Sequence, residues 1–261
     1  MKLSIMSSNI WGDYFGNEIP PRALQLSAIY HRYQPDILGL QEMTPNYYKS
    51  LLLSDLSDLY TLVPVQTHEQ VNYTPLLYKT ARFDLGDCGW ERFVQTPDET
   101  KSLTWGLLSA RQSEQRVVAV SLHFWWKNGP EHDVIRYKNA VQLCAKMREL
   151  EAKFDCPVFA FGDFNCGTNS KPMSYLTKQG LPTVQLCAAD YRDDISSHHG
   201  DPERGPDGLY HGRPTTRPAE DSLDHIICTA HRVHISEYHV ITDQQALDAS
   251  DHSPIYMIAD C

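Results

Sequence analysis

The chain has 261 residues, 41% of them hydrophobic, enough for one large domain with a substantial core or two small ones. Its formal net charge of −10 withholds the general attraction to polyanions that carries most non-specific nucleic-acid binding. This argues against a binder of long duplexes and leaves room for a local basic groove or a small phosphorylated substrate.

The first element expected is a strand over 2–9. Lys2 to Ser7 alternates and runs into Asn9, with no long apolar stretch of the kind a signal peptide carries. A helix is expected over 20–33, with Pro20 and Pro21 near its start. The run Asp36 to Leu40 predicts a strand over 36–41, and Thr44-Pro45 reads as an N-cap and first helical position opening 45–53. Strands follow at 59–65, 74–79, 103–109 and 115–123. The clearest helix is 130–152, where Val134, Tyr137, Val141, Cys144 and Met147 recur every three to four residues. Further strands are expected at 157–161, 222–228, 232–241 and 254–259. Between them, 190–222 is rich in Gly, Pro and Asp and reads as a long loop of the functional kind. Many strands with few helices point to an α/β or α+β layered domain, and the absence of a linker or repeat makes 1–261 one domain. Seven scattered cysteines, odd in number and without a Cys-x-x-Cys pair, read as reduced thiols in a cytoplasmic protein. No stretch approaches the ~18 apolar residues of a membrane span.

Four fragments stand at strand ends. Gln41-Glu42 closes the second strand, where a carboxylate faces a site, and hard cations such as Mg²⁺ favour one or two carboxylates plus water and substrate oxygens. A surface glutamate leading a helix would read the same way. In Gly162-Asp163-Phe164-Asn165, an extended backbone sends Asp163 and Asn165 to the same side, one to handle water and one to donate to a phosphoryl oxygen. An Asx turn after a strand is the plain alternative. In Ser222-Leu223-Asp224-His225, Asp224 is expected beside His252, fixing its tautomer, while His225 points away into packing. Ser250-Asp251-His252 supplies the imidazole and a second metal carboxylate. Asn9 is an amide near the metal. His123 closes the strand before Phe124-Trp125-Trp126-Lys127 as a donor to phosphate or as a structural histidine. Trp125 and Trp126 either stack on substrate or divide between core and surface. Tyr78 is a candidate hydroxyl donor to phosphate.

In their order along the chain these fragments resemble the endonuclease/exonuclease/phosphatase superfamily, the deoxyribonuclease-I-like fold. The resemblance runs from Ser8-Asn9-Ile10-Trp11 to Ser250-Asp251-His252 and matches the family's motifs at Asn9, Glu42, His123, Asp163 with Asn165, Asp224, and Asp251 with His252. It implies a four-layer α/β sandwich of two packed, mainly antiparallel sheets flanked by helices, and a Mg²⁺- or Mn²⁺-dependent phosphoesterase. Cys166-Gly167 stands where relatives that cleave protein–DNA phosphotyrosyl bonds often have Leu-Arg, which weakens that assignment. Ser222-Leu223 departs from the usual Arg-Ile. Tyr210-His211-Gly212 resembles a Phe-His-Gly stretch of bacterial members, so His211 is expected to reach the site from the long loop. His198-His199 either does likewise or is solvated.

The expected division of labour follows. Glu42 holds the metal with Asn9 and Asp251. Asp163 positions and activates water. Asn165, His123 and His252 donate to phosphoryl oxygens, and Asp224 orients His252, with His252 as general base the open alternative. The substrate is a phosphate ester: first a nucleic acid or nucleotide, next a lipid or sugar phosphate. A non-catalytic binding module ranks last, because none of the six motifs is lost.

Overall fold

The computed structural model describes residues 1–52, 55–67, 71–180, 184–186, 195–229 and 233–261. Residue 53 of the expected helix 45–53, residues 190–194 of the long loop, residue 232 of the strand expected at 232–241, and Cys187 lie outside them.

Among the described residues, twelve strands form two six-stranded sheets. The first contains β1 (Lys2–Asn9), β2 (Ile37–Gln41), β3 (Tyr60–Leu62), β4 (Leu76–Lys79), β13 (His234–Val240) and β14 (Ile255–Asp260), in the order β13-β14-β1-β2-β4-β3. The second contains β5 (Phe83–Arg92), β6 (Ser102–Ala110), β7 (Arg116–His123), β8 (Val158–Asp163), β9 (Val184–Leu186) and β12 (Asp224–Thr229), in the order β5-β6-β7-β8-β12-β9. Each sheet has one parallel pair, β1 with β2 and β7 with β8, and is otherwise antiparallel. A parallel pair needs a crossover, and two helices provide them: α1 (Pro20–Tyr33) and α3 (Pro130–Phe154).

Period-two alternation sorts side chains into layers. Leu3, Ile5, Ile37, Val117, Ala119, Phe159, Phe161, Ile226 and Met257 fill the space between the sheets. Their neighbours face outward: Met6, Leu38 and Leu40 under α1, and Val118, Val120 and Ala160 under α3. The result is the expected four-layer sandwich. Full burial of each large apolar side chain contributes about 1.5–3 kcal/mol. The sheets approach closely at Gly39, where a Cβ would lie 2.5 Å from the Phe161 ring. One step further along, the apolar layer gives way to a polar seam: Ser7 Oγ donates to Gln41 Oε1 (3.2 Å), and Gln41 Nε2 to Ser121 Oγ (3.3 Å).

Several elements escaped the sequence pattern, β9 among them. β5 is an edge strand, mostly half-buried and bulged between Leu85 and Cys88, so it shows no alternation. Helix α5 (Gln244–Ala249) spans under two turns but packs against α1. The long loop contains a small hairpin, β10 (Glu203–Arg204) with β11 (Tyr210–His211). Of two short helices, α2 (Pro45–Tyr47) continues in a wider turn to Leu52, and α4 (Lys171–Ser174) packs on α3. None of the six described cysteines is in a disulfide. No helix among the described residues is long and apolar enough to cross a membrane.

Candidate active site

The parallel pairs determine where the site lies. β1, β2, β7 and β8 deliver Asn9, Glu42, His123 and Asp163 at their C-terminal ends. β12 runs antiparallel to β8 and starts at the same edge, with Asp224 opposite Asp163. β14 runs antiparallel to β1, so the turn before it brings Asp251 and His252 to the same place.

Three non-glycine residues here have left-handed backbones: Trp11 (φ 50°), Glu42 (φ 64°) and Asn165 (φ 51°). Such residues cost on the order of 1 kcal/mol each and concentrate at functional sites. At Glu42 the turn aims the carboxylate back across β1: Oε1 accepts from Asn9 Nδ2 (3.4 Å) and Oε2 from the Gly12 N–H (2.9 Å). The Asn9 amide also donates to Asp163 Oδ2 (3.0 Å). The other Asp163 oxygen accepts from the Asn165 N–H (2.7 Å). That bond corrects one expectation. Asn165 is not extended, so it does not share a face with Asp163 by alternation. Its side chain turns onto the Phe124 carbonyl at 3.1 Å. Gly162 permits the close β7–β8 approach, since a Cβ there would fall 1.9 Å from the Leu122 carbonyl oxygen.

Two imidazoles flank Asp163: His123 Nε2 at 3.3 Å and His252 Nε2 at 3.9 Å. Burial alone would raise the Asp163 carboxyl, but the two histidines and the Asn165 N–H hold it well below the usual range. His252 Nδ1 meets Asp224 Oδ2 at 2.7 Å, as expected, and both groups are almost fully buried. Burial opposes the imidazolium, yet Asp224, Asp251 and Asp163 outweigh it and hold His252 well above its ordinary value. Glu42 behaves like Asp163: burial opposes its charge, while His123, Lys101 and the Gly12 N–H keep it ionised.

Asp251 is the exception. Burial first, and then the charge of Glu42, push its carboxyl up to about 7 against the partial relief from His252. Oxygen donors crowded until one carboxylate resists ionisation are a donor set that a hard divalent cation would relieve. The carboxylates of Glu42 and Asp251 are donors of that kind, whereas Asn9 turns its Nδ2 toward Glu42 and Asp163 and its Oδ1 accepts from the Trp11 N–H (3.1 Å). Potential ligand atoms also lie within 4.8 Å of one another in the groups His198–Asp251–His252 and Asp163–Asp224–His252.

The structure separates other expected residues from this cluster. Tyr78 pairs with Ile37, at the opposite end of β2 from Glu42, and its parity on β4 sends it into the inter-sheet core. His211 is 53% exposed and pairs with Asp207, because its neighbour Tyr210 takes the inward position against Trp11. Trp125 is buried, its Nε1 donating to His132 Nδ1 (2.9 Å); Trp126 is 49% exposed under Lys127. The tryptophans thus divide between core and surface, leaving only Trp126 accessible. His225 packs away as expected, with Nε2 2.8 Å from the Cys166 carbonyl oxygen.

Three residues without a motif, Lys101, Ser197 and Arg22, complete the site together with Ser250 of the terminal motif. Lys101, just before β6, is 6% exposed and puts its ammonium 3.1–3.2 Å from the ring nitrogens of His123. Burial pushes its pKa down, partly opposed by Glu42 and Asp163. Ser197 Oγ donates to Asp224 Oδ2 (2.7 Å), and Ser250 Oγ to the Asn9 carbonyl (2.7 Å). Arg22, 1% exposed, donates to the carbonyls of Ile10 (3.0 Å), Trp11 (2.6 Å), Asn17 (3.3 Å), Glu18 (2.9 Å) and Ala249 (3.1 Å). It lies 4.8 Å over the Trp11 ring and so joins the turn after Asn9 to the turn before Asp251.

The sequence profile described as the Endonuclease/Exonuclease/phosphatase family matches residues 6–252, from within β1 to His252. The chain belongs to this family. The family's members are phosphoester hydrolases. Solved structures with this fold include a mannosyl-6-phosphatase of Bacteroides thetaiotaomicron, with 19% identity and a TM-score of 0.76 over 99% of this chain and all of that one. Truncated TDP2 of Caenorhabditis elegans gives 20% identity and 0.74 over 100% and 98% of the two chains. The catalytic domain of human Nocturnin gives 17% and 0.73 over 99% and 94%. At these identities the likeness is one of fold. A 77-residue stretch is 27% identical to the probable CCR4-Not complex 3'-5'-exoribonuclease subunit Ccr4 of Vairimorpha ceranae. That match spans 29% of this chain and only 16% of the relative.

Proposed function

We propose that this family member is a divalent-cation-dependent phosphodiesterase that hydrolyses its substrate by direct attack of water. The observation that carries the reading is the meeting of an ionised Asp163, three flanking donors (Asn9, His123, His252) and the crowded carboxylates Glu42 and Asp251 at one edge of both sheets. Glu42 and Asp251 would hold a divalent cation, and such an ion would supply positive charge to the transition state.

The remaining work falls to side chains. Asp163 is held ionised and orients the attacking water in line; its weak basicity places proton uptake late, once bonding to phosphorus has made the attacking oxygen acidic. Against burial, the charges of Asp224, Asp251 and Asp163 favour the imidazolium form of His252, which supports a charge-stabilising donor over a base. His123 and the nearby Lys101 add donors and charge where negative charge collects. Asp224, anchored by Ser197, orients His252.

The leading substrate class is a nucleic acid or nucleotide, in keeping with the stretch shared with the Ccr4 exoribonuclease subunit. The net charge of −10 favours a lipid or sugar phosphate as the second reading. Hydrolysis of bis-p-nitrophenyl phosphate with Mg²⁺ or Mn²⁺ tests the chemistry. Asp163→Ala and His252→Ala should each lower kcat by about 10²–10⁴, and near-normal turnover in both would overturn the assignment. A panel of oligonucleotides, nucleotides, phospholipids and sugar phosphates then separates the substrate readings.

A further inference from the structure

The long loop returns to the site at residues 196–199, and that return is built. The Ser253 N–H donates to the Ser197 carbonyl (2.7 Å) and the His199 N–H to the Asp251 carbonyl (3.0 Å), so His198 pairs with His252 as cross-strand neighbours. Their rings meet edge to face with centroids 4.8 Å apart. A ring nitrogen of His198 comes within 4.8 Å of both a His252 ring nitrogen and an Asp251 carboxylate oxygen.

The second contact of His198 decides what it offers. Arg217 Nη1 lies 3.2 Å from His198 Nδ1. A guanidinium only donates, so Nδ1 must accept, and in the neutral ring the proton resides on Nε2. A histidine whose lone pair is committed to a cationic donor is a poor metal ligand and a good N–H donor.

We propose that His198 is a phosphate-binding residue, donating through Nε2–H to a phosphoryl oxygen beside His252, with Arg217 fixing its tautomer. This deepens the phosphodiesterase reading and rests on it for the identity of the bound group. The inferred ligand is a tetrahedral phosphate or phosphoester, and a loop outside the family's strand-end motifs supplies the donor.

Two variants separate donation from packing. His198→Phe keeps an aromatic ring beside His252 without an N–H, and His198→Gln keeps a donor without the ring. The expected result is a loss of about 10² in kcat/KM for bis-p-nitrophenyl phosphate in His198→Phe. A loss of about tenfold in calorimetric affinity for inorganic phosphate should accompany it, with His198→Gln retaining most of both. Wild-type turnover with an unimpaired His198→Phe enzyme overturns the inference and leaves the phosphodiesterase reading standing. Phosphate binding that depends on His198, without turnover of any phosphoester, supports the inference and overturns the reading. A fall in Mn²⁺ affinity in His198→Phe at unchanged phosphate affinity would make His198 a metal ligand and also overturn the proposal.

Discussion

Asp224→Asn is the sharpest perturbation of the site, because it removes a charge and almost no volume. Asp224 Oδ2 lies 2.7 Å from His252 Nδ1, with side chains 1% and 6% exposed, so solvent does little to screen the pair. Burial pulls the His252 pKa down, and Asp224 is the first of the charges that reverse this. Without it the imidazolium loses its strongest support. Losing one charged donor to the transition state costs about 2.7–4 kcal/mol, or 10²–10³ in kcat. The sign in pH follows. The folded pKa of His252 is raised above its ordinary 6.5, so the stability it contributes is complete below 6.5 and is lost as pH rises through the folded value. In the variant that folded value falls. The alkaline limb of kcat against pH should therefore move to lower pH. The deficit in melting temperature should be largest on the acid side and shrink on the alkaline side. A cation on Glu42 and Asp251 lowers the His252 pKa in both proteins, so the direction of the difference survives. An alkaline limb in the same place for both enzymes would refute the pairing as the source of the charge on His252.

Asp251 predicts a pH-dependent cation effect. Its raised carboxyl disfavours the folded state progressively as pH rises from the ordinary 3.8 to about 7, and a cation binds its ionised form. The rise in melting temperature on adding Mn²⁺ should be larger at about pH 8 than at about pH 6; equal rises would contradict this. Gly162→Ala forces a Cβ to 1.9 Å from the Leu122 carbonyl oxygen and should destabilise by roughly 3 kcal/mol in urea unfolding, with m unchanged. Arg22→Met leaves five carbonyls in need of donors and should cost at least about 3 kcal/mol. Stability within about 1 kcal/mol of wild type would mean that Arg22 does not anchor the two turns. Lys101→Met should lower kcat/KM about 10²-fold, and the Glu42 carboxyl should move up as it loses part of the positive charge that keeps it ionised; an unchanged kcat/KM would remove Lys101 from the site.

What the chain determines locally was legible in its letters. Alternating runs located ten strands, and the residues ending them, Asn9, Glu42, His123 and Asp163, carry recognisable chemistry because a strand's C-terminal edge is a local property. The pairing of Asp224 with His252 was also readable, since both stand at the entrances of strands that set out from that edge. Tertiary structure decided the rest. Whether a strand residue faces solvent, site or core depends on parity and register against partners far along the chain. That is why Tyr78 lies between the sheets and Trp125 in the core. Asn165 leaves the extended conformation because its N–H is drawn to Asp163. Lys101, Ser197, Arg22 and His198 belong to no motif. They reach the site from loops and a crossover helix, through contacts that exist only once both sheets have closed on their common core.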